Sequence, residues 1–255
     1  YVTSLEPALL LEAISFMVDL HDDDRWIELG ESRSWCWQQG CMLQWLPGHD
    51  DLIIFNTRED GHYGSVIVDT NGTVQRKLPR AVYTVSPNGK EAISNDFART
   101  GHTRPGYGYV GIPDPNQNVN TPEDSGLWRM DLETGDNEMI YSIAGISEMD
   151  TVPTMETEIG WVNHFLYNTD GSRIIFLHRW QTPRLTRMYT CRSDGSELHR
   201  VSDASDPKSW QASHFWWRDP QKEARFEVIL GQSTFSNNYA TLLISTSGQC
   251  LVKPI

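Results

Sequence analysis

Four cysteines are spread through 255 residues, and none stands at metal-ligand spacing from a second Cys or His pair. Cys36 and Cys41 leave four residues between them, while Cys191 and Cys250 lie far apart. Free thiols in a reducing, cytoplasmic setting are therefore expected, rather than a disulfide framework or a structural zinc. Long apolar runs are also missing. No stretch approaches 18 apolar residues, so no transmembrane helix is expected. Residues 7–18, "PALLLEAISFMV", lack a basic leading segment and a small-residue cleavage site, which argues against a secretory signal. Positive charge is scarce, with 21 Lys and Arg against 34 Asp and Glu, a net charge of −13. Such a field repels nucleic acid and anionic membrane surfaces, and neither is expected as a partner. No G-x-S-x-G elbow occurs, which disfavours a serine hydrolase of the α/β type.

What the chain has in abundance is short strand-like runs. "DLIIFN" (51–56), "SVIVD" (65–69), "RIIFLH" (173–178) and "ATLLIS" (240–245) are each bounded by Gly, Pro, Asn or Asp. Only 7–18 reads as a helix, and its "SFMVDL" end reads equally as a strand. Two turn types alternate along the chain. The first follows an aromatic-rich run, as in "LQWLPGHDDLIIF", "YTVSPNGKEAIS" and "FLYNTDGSRIIF". The second ends a later strand, as in "SVIVDTNGTVQRKL", "LWRMDLETGDNEMI" and "RMYTCRSDGSELHRV". The repeat recurs at roughly 40 to 60 residues with about four strands per unit, the pattern of a β-propeller. An all-β β-propeller is thus expected, as a single domain over 1–255 with units near 36–80, 81–142, 160–204 and 210–255. Residues 12–30 read as outer strands of a further blade, giving four to five blades, alone or as part of a larger ring. A β-sandwich is the rival architecture. Residues 98–126, rich in Gly and Pro, read as an insertion without regular structure, either a surface loop or a lid.

From Gly171 to Ser193 this acidic chain carries five arginines, one histidine and no acid. The stretch "GWVNHFLYNTDGSRIIFLHRW…LTRMYTCRSDGSELHRV…SHFWW", preceded by "LWRMDLETGDNEMIYS", resembles the oligogalacturonate lyases. These are seven-bladed propellers related to TolB-type propellers. The resemblance runs over about 127–218 and implies β-elimination on short oligogalacturonides, a step in pectin degradation, assisted by a divalent metal such as manganese. By matching order it implies catalytic roles for His164, His178, Arg187 and His214, with Arg187 at the base position. The family's acidic residue and Gly-Pro after the second His are replaced here by Arg179 and Trp180. The family's metal ligands come from last blades rich in His and Gln, whereas the tail from 235 to 255 has no His. A metal site is therefore not evident.

Elimination beside a uronate removes a proton α to a carboxylate, so the carboxylate must be neutralised and a base positioned. A guanidinium fork suits the first task, which makes Arg179, Arg184 and Arg187 candidates. Histidine suits the second better than arginine, and His164 and His214 precede equivalent runs, "HFLY" and "HFWW". A repeated structural histidine would look the same, and His178 could be a plain core residue. Strand alternation keeps the five arginines from converging, with Arg173 and Arg192 expected near solvent or acids. In the insertion His102, Arg104, Tyr107 and Tyr109 combine cations with aromatic faces, which suits a small acidic saccharide. "SWCWQQGCMLQW" (34–45), with three tryptophans, reads as blade core ahead of a sugar platform. A non-catalytic TolB-like propeller presenting a ligand- or protein-binding face is the reading from a different class.

Overall fold

Turns set the frame of this chain, because each strand run ends where a residue must enter the left-handed region. In a computed structural model of the protein, Gly48, Gly72, Gly89, Gly135, Gly171 and Gly195 of the two alternating turns have φ between +71° and +85°. Aspartates beside them fix the turns further. Asp69 accepts hydrogen bonds from the Asn71 and Thr73 amides (2.8 and 2.9 Å), and Asp131 from Glu133 and Thr134 (both 2.8 Å). These amides hold both carboxyls below the usual carboxylate range. The structure describes residues 12–59, 61–149, 151–180 and 185–202, and the strand backbones 212–217, 226–230, 240–244 and 250–254.

Two compact units are formed, one from residues up to Gln117 with Trp128–Met139, the other from Asn118–Leu127 with residues from Ile140 onward. In the first, β1 (Ala13–Asp19) and β2 (Arg25–Ser32) make a two-stranded sheet. The strand β1 occupies the segment that read as either helix or strand. Next, β3 (Gln44–Trp45), β4 (Leu52–Glu59), β5 (His62–Asp69) and β6 (Val74–Leu78) form a four-stranded antiparallel meander. A second sheet takes β7 (Thr84–Val85), β8 (Glu91–Ser94), β9 (Gly126–Asp131) and β10 (Asn137–Ser142), with helix α1 (Phe97–Thr103) between β8 and β9.

Alternation along β4 explains how these sheets stack. Ile54 joins Ile67, Leu78 and Leu46 in a cluster with Val82, Val85, Ala92, Met130 and Leu132 of the next sheet. Ile53 and Phe55, on the other face, pack with Val66, Val68, Cys41 and Leu29 of β2. A sheet buried on both faces has continuous apolar runs rather than alternating ones. This is blade-on-blade packing, in which no sheet could cover its own faces alone.

In the second unit, helices α2 (Ile143–Glu148) and α3 (Pro153–Thr157) precede β11 (Gly160–Tyr167). Ser142 caps α2 by accepting from the Gly145 amide at 2.9 Å, and Pro153 opens α3, where its missing N–H costs nothing. Strand β11 then pairs with β12 (Arg173–Trp180), β13 (Leu185–Arg192) and β14 (His199–Ser202) in a four-stranded antiparallel order. The pairs β15 (Ala212–Trp217) with β16 (Phe226–Leu230) and β17 (Ala240–Ile244) with β18 (Cys250–Pro254) follow. Every residue of β12 is buried. Among the described residues no helix is long and apolar enough to cross a membrane.

Candidate functional site

Strand β11 starts the first sheet of the second unit and does not run evenly. Asn163 pairs with Leu177, and the next paired residue, Leu166, opposes Ile175, so β11 holds one residue more than β12 over this step. His164 lies in that bulge with φ +55°, a conformation rare for a residue with a side chain. Asn163 and Phe165 on either side are buried, while His164 is half-buried. A bulge re-aims the side chain it carries and is over-represented beside active sites. The matching strand β15 also shifts register, between Ala212 and His214. There the extra residue is Ser213, while His214 already pairs with Ile229, so the two histidines are placed differently; the side chain of His214 lies outside the described residues.

One strand in, His178 of β12 stands directly opposite Arg187 of β13. Both are buried, at 0% and 1% exposure. The guanidinium carbon of Arg187 lies 5.3 Å from the Trp180 ring centre, and the His178 ring lies 5.3 Å from the same indole. The face continues through Phe176, stacked on Tyr189 at 5.6 Å. Burial, then the charge of Arg187, pushes the His178 imidazole down to about 3, so it is neutral at neutral pH. Neither ring nitrogen has a hydrogen-bond partner among the described residues.

The remaining arginines go elsewhere. Arg179 pairs across with Trp161 and Thr186, which puts it on the face opposite Arg187. Arg173 and Arg192 share one acid: Arg173 Nη1 meets Glu197 Oε2 at 3.2 Å, and Arg192 Nε meets Oε1 at 2.8 Å. Of the two surroundings the sequence left open, solvent or acids, both arginines take an acid, and Arg173 is buried as it does so. Arg184 lies outside the described residues. The structure therefore joins His178 to Arg187 and leaves Arg179 and Arg173 out of that group.

In the first unit the insertion is not structureless, a point on which the sequence reading needs correction. Helix α1 buries Phe97, Arg99, Thr100 and Thr103, and the backbones of Gly101 and Gly108 approach closely enough that neither could carry a Cβ. Arg99 Nη1 meets Asp114 Oδ2 at 3.2 Å inside the unit and donates to the Asn116 carbonyl at 2.8 Å. His102 Nδ1 lies 3.4 Å from the same Asp114 oxygen. Tyr109 is buried, its ring 4.3 Å from Phe97 at 6°, and its hydroxyl accepts from Asn56 Nδ2 at 2.8 Å. Burial pushes its phenol well above the usual tyrosine range. Arg104 stays near the surface, 4.0 Å above the Tyr107 ring. Sequence reasoning also took Trp37 as blade core, yet it is 68% exposed. The signal that could have shown this is its place between Cys36 and Gly40, a turn too short to bury it.

A divalent metal does not fit the described residues. No group of three or more His, Cys, Asp or Glu is placed to hold one among them. At His178 the neighbouring guanidinium would oppose a cation. What the arrangement does offer is anion chemistry: a positive charge in a low-dielectric face, and a strained histidine at its edge.

No sequence-family model matches the chain, and no curated protein resembles it in sequence. Solved structures do resemble it. The oligogalacturonate lyase of Vibrio parahaemolyticus aligns over 95% of this chain at 14% identity with a TM-score of 0.55. TolB of Acinetobacter baumannii aligns over 97% at 14% identity with a TM-score of 0.46. The chain spans 58% of the length of that lyase and 50% of that TolB. In fold, this chain is a β-propeller similar to oligogalacturonate lyase.

Proposed function

We propose that this propeller binds short acidic saccharides and cleaves them by β-elimination, with His164 as base and Arg187 as the charge that tolerates the enolate. The observation that carries the reading is the left-handed backbone of His164 in a bulge on the first strand of its sheet. Strain of about 1–3 kcal/mol persists at a site only where the surroundings impose it, and it concentrates at functional positions. Imidazole is the side chain that exchanges protons near neutral pH. Two strand spacings and two residues of offset put the Cα atoms of His164 and Arg187 roughly 12 Å apart. Arg187 itself is too buried to be a contact along its whole length, and its charge acts through the low-dielectric face. A guanidinium keeps its proton in proteins, which leaves the base role to histidine.

In this reading His164 takes the proton at C5 of the uronate. Its electron pair forms the C4–C5 double bond, the bond from C4 to the glycosidic oxygen breaks, and that oxygen leaves as an alcohol once protonated. The product's double bond is conjugated with the carboxylate, so incubation with trigalacturonate is followed by ultraviolet absorbance, with and without added divalent metal. Growth of that absorbance is the expected result. A second reading, a propeller that binds without turnover, is favoured by His178, whose neutral, buried ring makes a weak base. Calorimetric binding of trigalacturonate without product would support it. Neither binding nor product would overturn both.

A further inference from the structure

Trp37 is a large aromatic ring held rigidly at the surface. Its turn is closed by two backbone hydrogen bonds, Cys36 N to Gly40 O at 3.0 Å and Gly40 N to Cys36 O at 2.9 Å. Gln38 N donates to Gly106 O at 3.1 Å, tying the turn to the insertion beside Arg104 and Tyr107. Gln39 Nε2 donates to the Tyr83 hydroxyl at 2.5 Å, which fixes the turn from below. The ring of Trp35 supports Trp37 edge-on at 5.6 Å. An indole so exposed leaves much apolar surface in water, and its backbone cannot swing to hide it.

From this we infer that Trp37, with Gln38 and the Arg104–Tyr107 stack, forms a second saccharide-binding site on the first unit, selective for acidic sugars. Pyranose rings present an apolar C–H face to an aromatic plane, while their hydroxyls need planar polar partners at its rim. Gln38, exposed beside the indole, supplies an amide. Arg104, held over Tyr107 at 4.0 Å, supplies a guanidinium fork that matches a uronate carboxylate. Arg99 and His102 of the insertion face Asp114, while Arg104 brings positive charge to the segment whose Gly106 carbonyl accepts from Gln38. The site shares its ligand class with the reading above but none of its residues.

The test is calorimetric titration with trigalacturonate and with a neutral galactose trisaccharide. The wild type is compared with Trp37→Ala, Trp37→Phe, Arg104→Gln and His164→Ala. Trp37→Ala is expected to lose at least about tenfold in affinity for both sugars, and Trp37→Phe to retain most of it. Arg104→Gln is expected to bind both trisaccharides alike, having lost the preference for the acidic one. His164→Ala is expected to lose the unsaturated product from trigalacturonate while the Trp37-dependent binding of the neutral trisaccharide persists, which separates the site from the elimination reading. Unchanged binding by Trp37→Ala overturns the inference. So does wild-type self-association that Trp37→Ala abolishes without any sugar binding, since the indole would then serve a protein contact.

Discussion

The His178 imidazole, pushed down to about 3 by burial and then by Arg187, makes folding sensitive to acid. An unfolded chain protonates this ring near its ordinary value of about 6.5. Between 6.5 and 3 the unfolded state binds the extra proton and the folded state does not. Stability therefore falls as pH drops through that window, while above it His178 exacts no penalty. His178→Gln removes the titration and keeps a neutral polar side chain. Its stability is expected to fall less between pH 7 and pH 4.5, by about 2–3 kcal/mol, in urea unfolding at the two values. Parallel acid losses in the two proteins would show that His178 is not held neutral. The sequence made the His178–Arg187 pairing legible, because one ends a strand run and the other opens the next. Alternation alone indicated that the five arginines could not all converge, but Arg179 was expected to share the carboxylate with Arg187, and only the register of the two strands shows it on the other face. The conformation of His164 was not legible, since a bulge exists only relative to a partner strand's register.

Among the elements, α1 and the segment after it show where composition misleads. Gly and Pro between 98 and 126 suggested a loop without structure. Two of those glycines instead permit close backbone approach, Gly101 against Tyr109 and Gly108 against Phe97 and Thr100. What fixes the segment is a buried ion pair, Arg99 with Asp114, whose partners lie fifteen residues apart and carry no pattern a reader could follow. Asp114→Asn leaves Arg99 buried beside a neutral amide and releases His102 from its carboxylate partner. Removing one member of a buried pair costs about 3–5 kcal/mol, and a loss of that size is expected in denaturant unfolding. A loss under about 1 kcal/mol would mean that the insertion is fixed by its aromatic packing instead, with Phe97 stacked on Tyr109.

For the molecule as a whole, the fold was legible because each blade repeats the same turn chemistry. Asp69, Asp131 and Asp194 each accept a backbone N–H at a strand end, and a glycine with positive φ follows within a few residues. The stacking of Ile53 and Ile54 onto opposite neighbours then follows from the two-residue period of a strand. Division into two compact units was not legible, since it rests on contacts far apart along the chain. The acidic balance of the molecule makes gathered positive charge informative: in the reading proposed above, that charge serves a local task, the holding of an anionic ligand.

The most direct measurement is the initial rate of unsaturated product from trigalacturonate, for the wild type and for His164→Gly. Glycine adopts φ +55° without strain, so the variant keeps the bulge and loses only the imidazole. The account predicts product from the wild type and about 10²–10⁴-fold less from the variant, with an unfolding midpoint no lower than wild type. Equal rates in the two proteins, or no product from either, would contradict it.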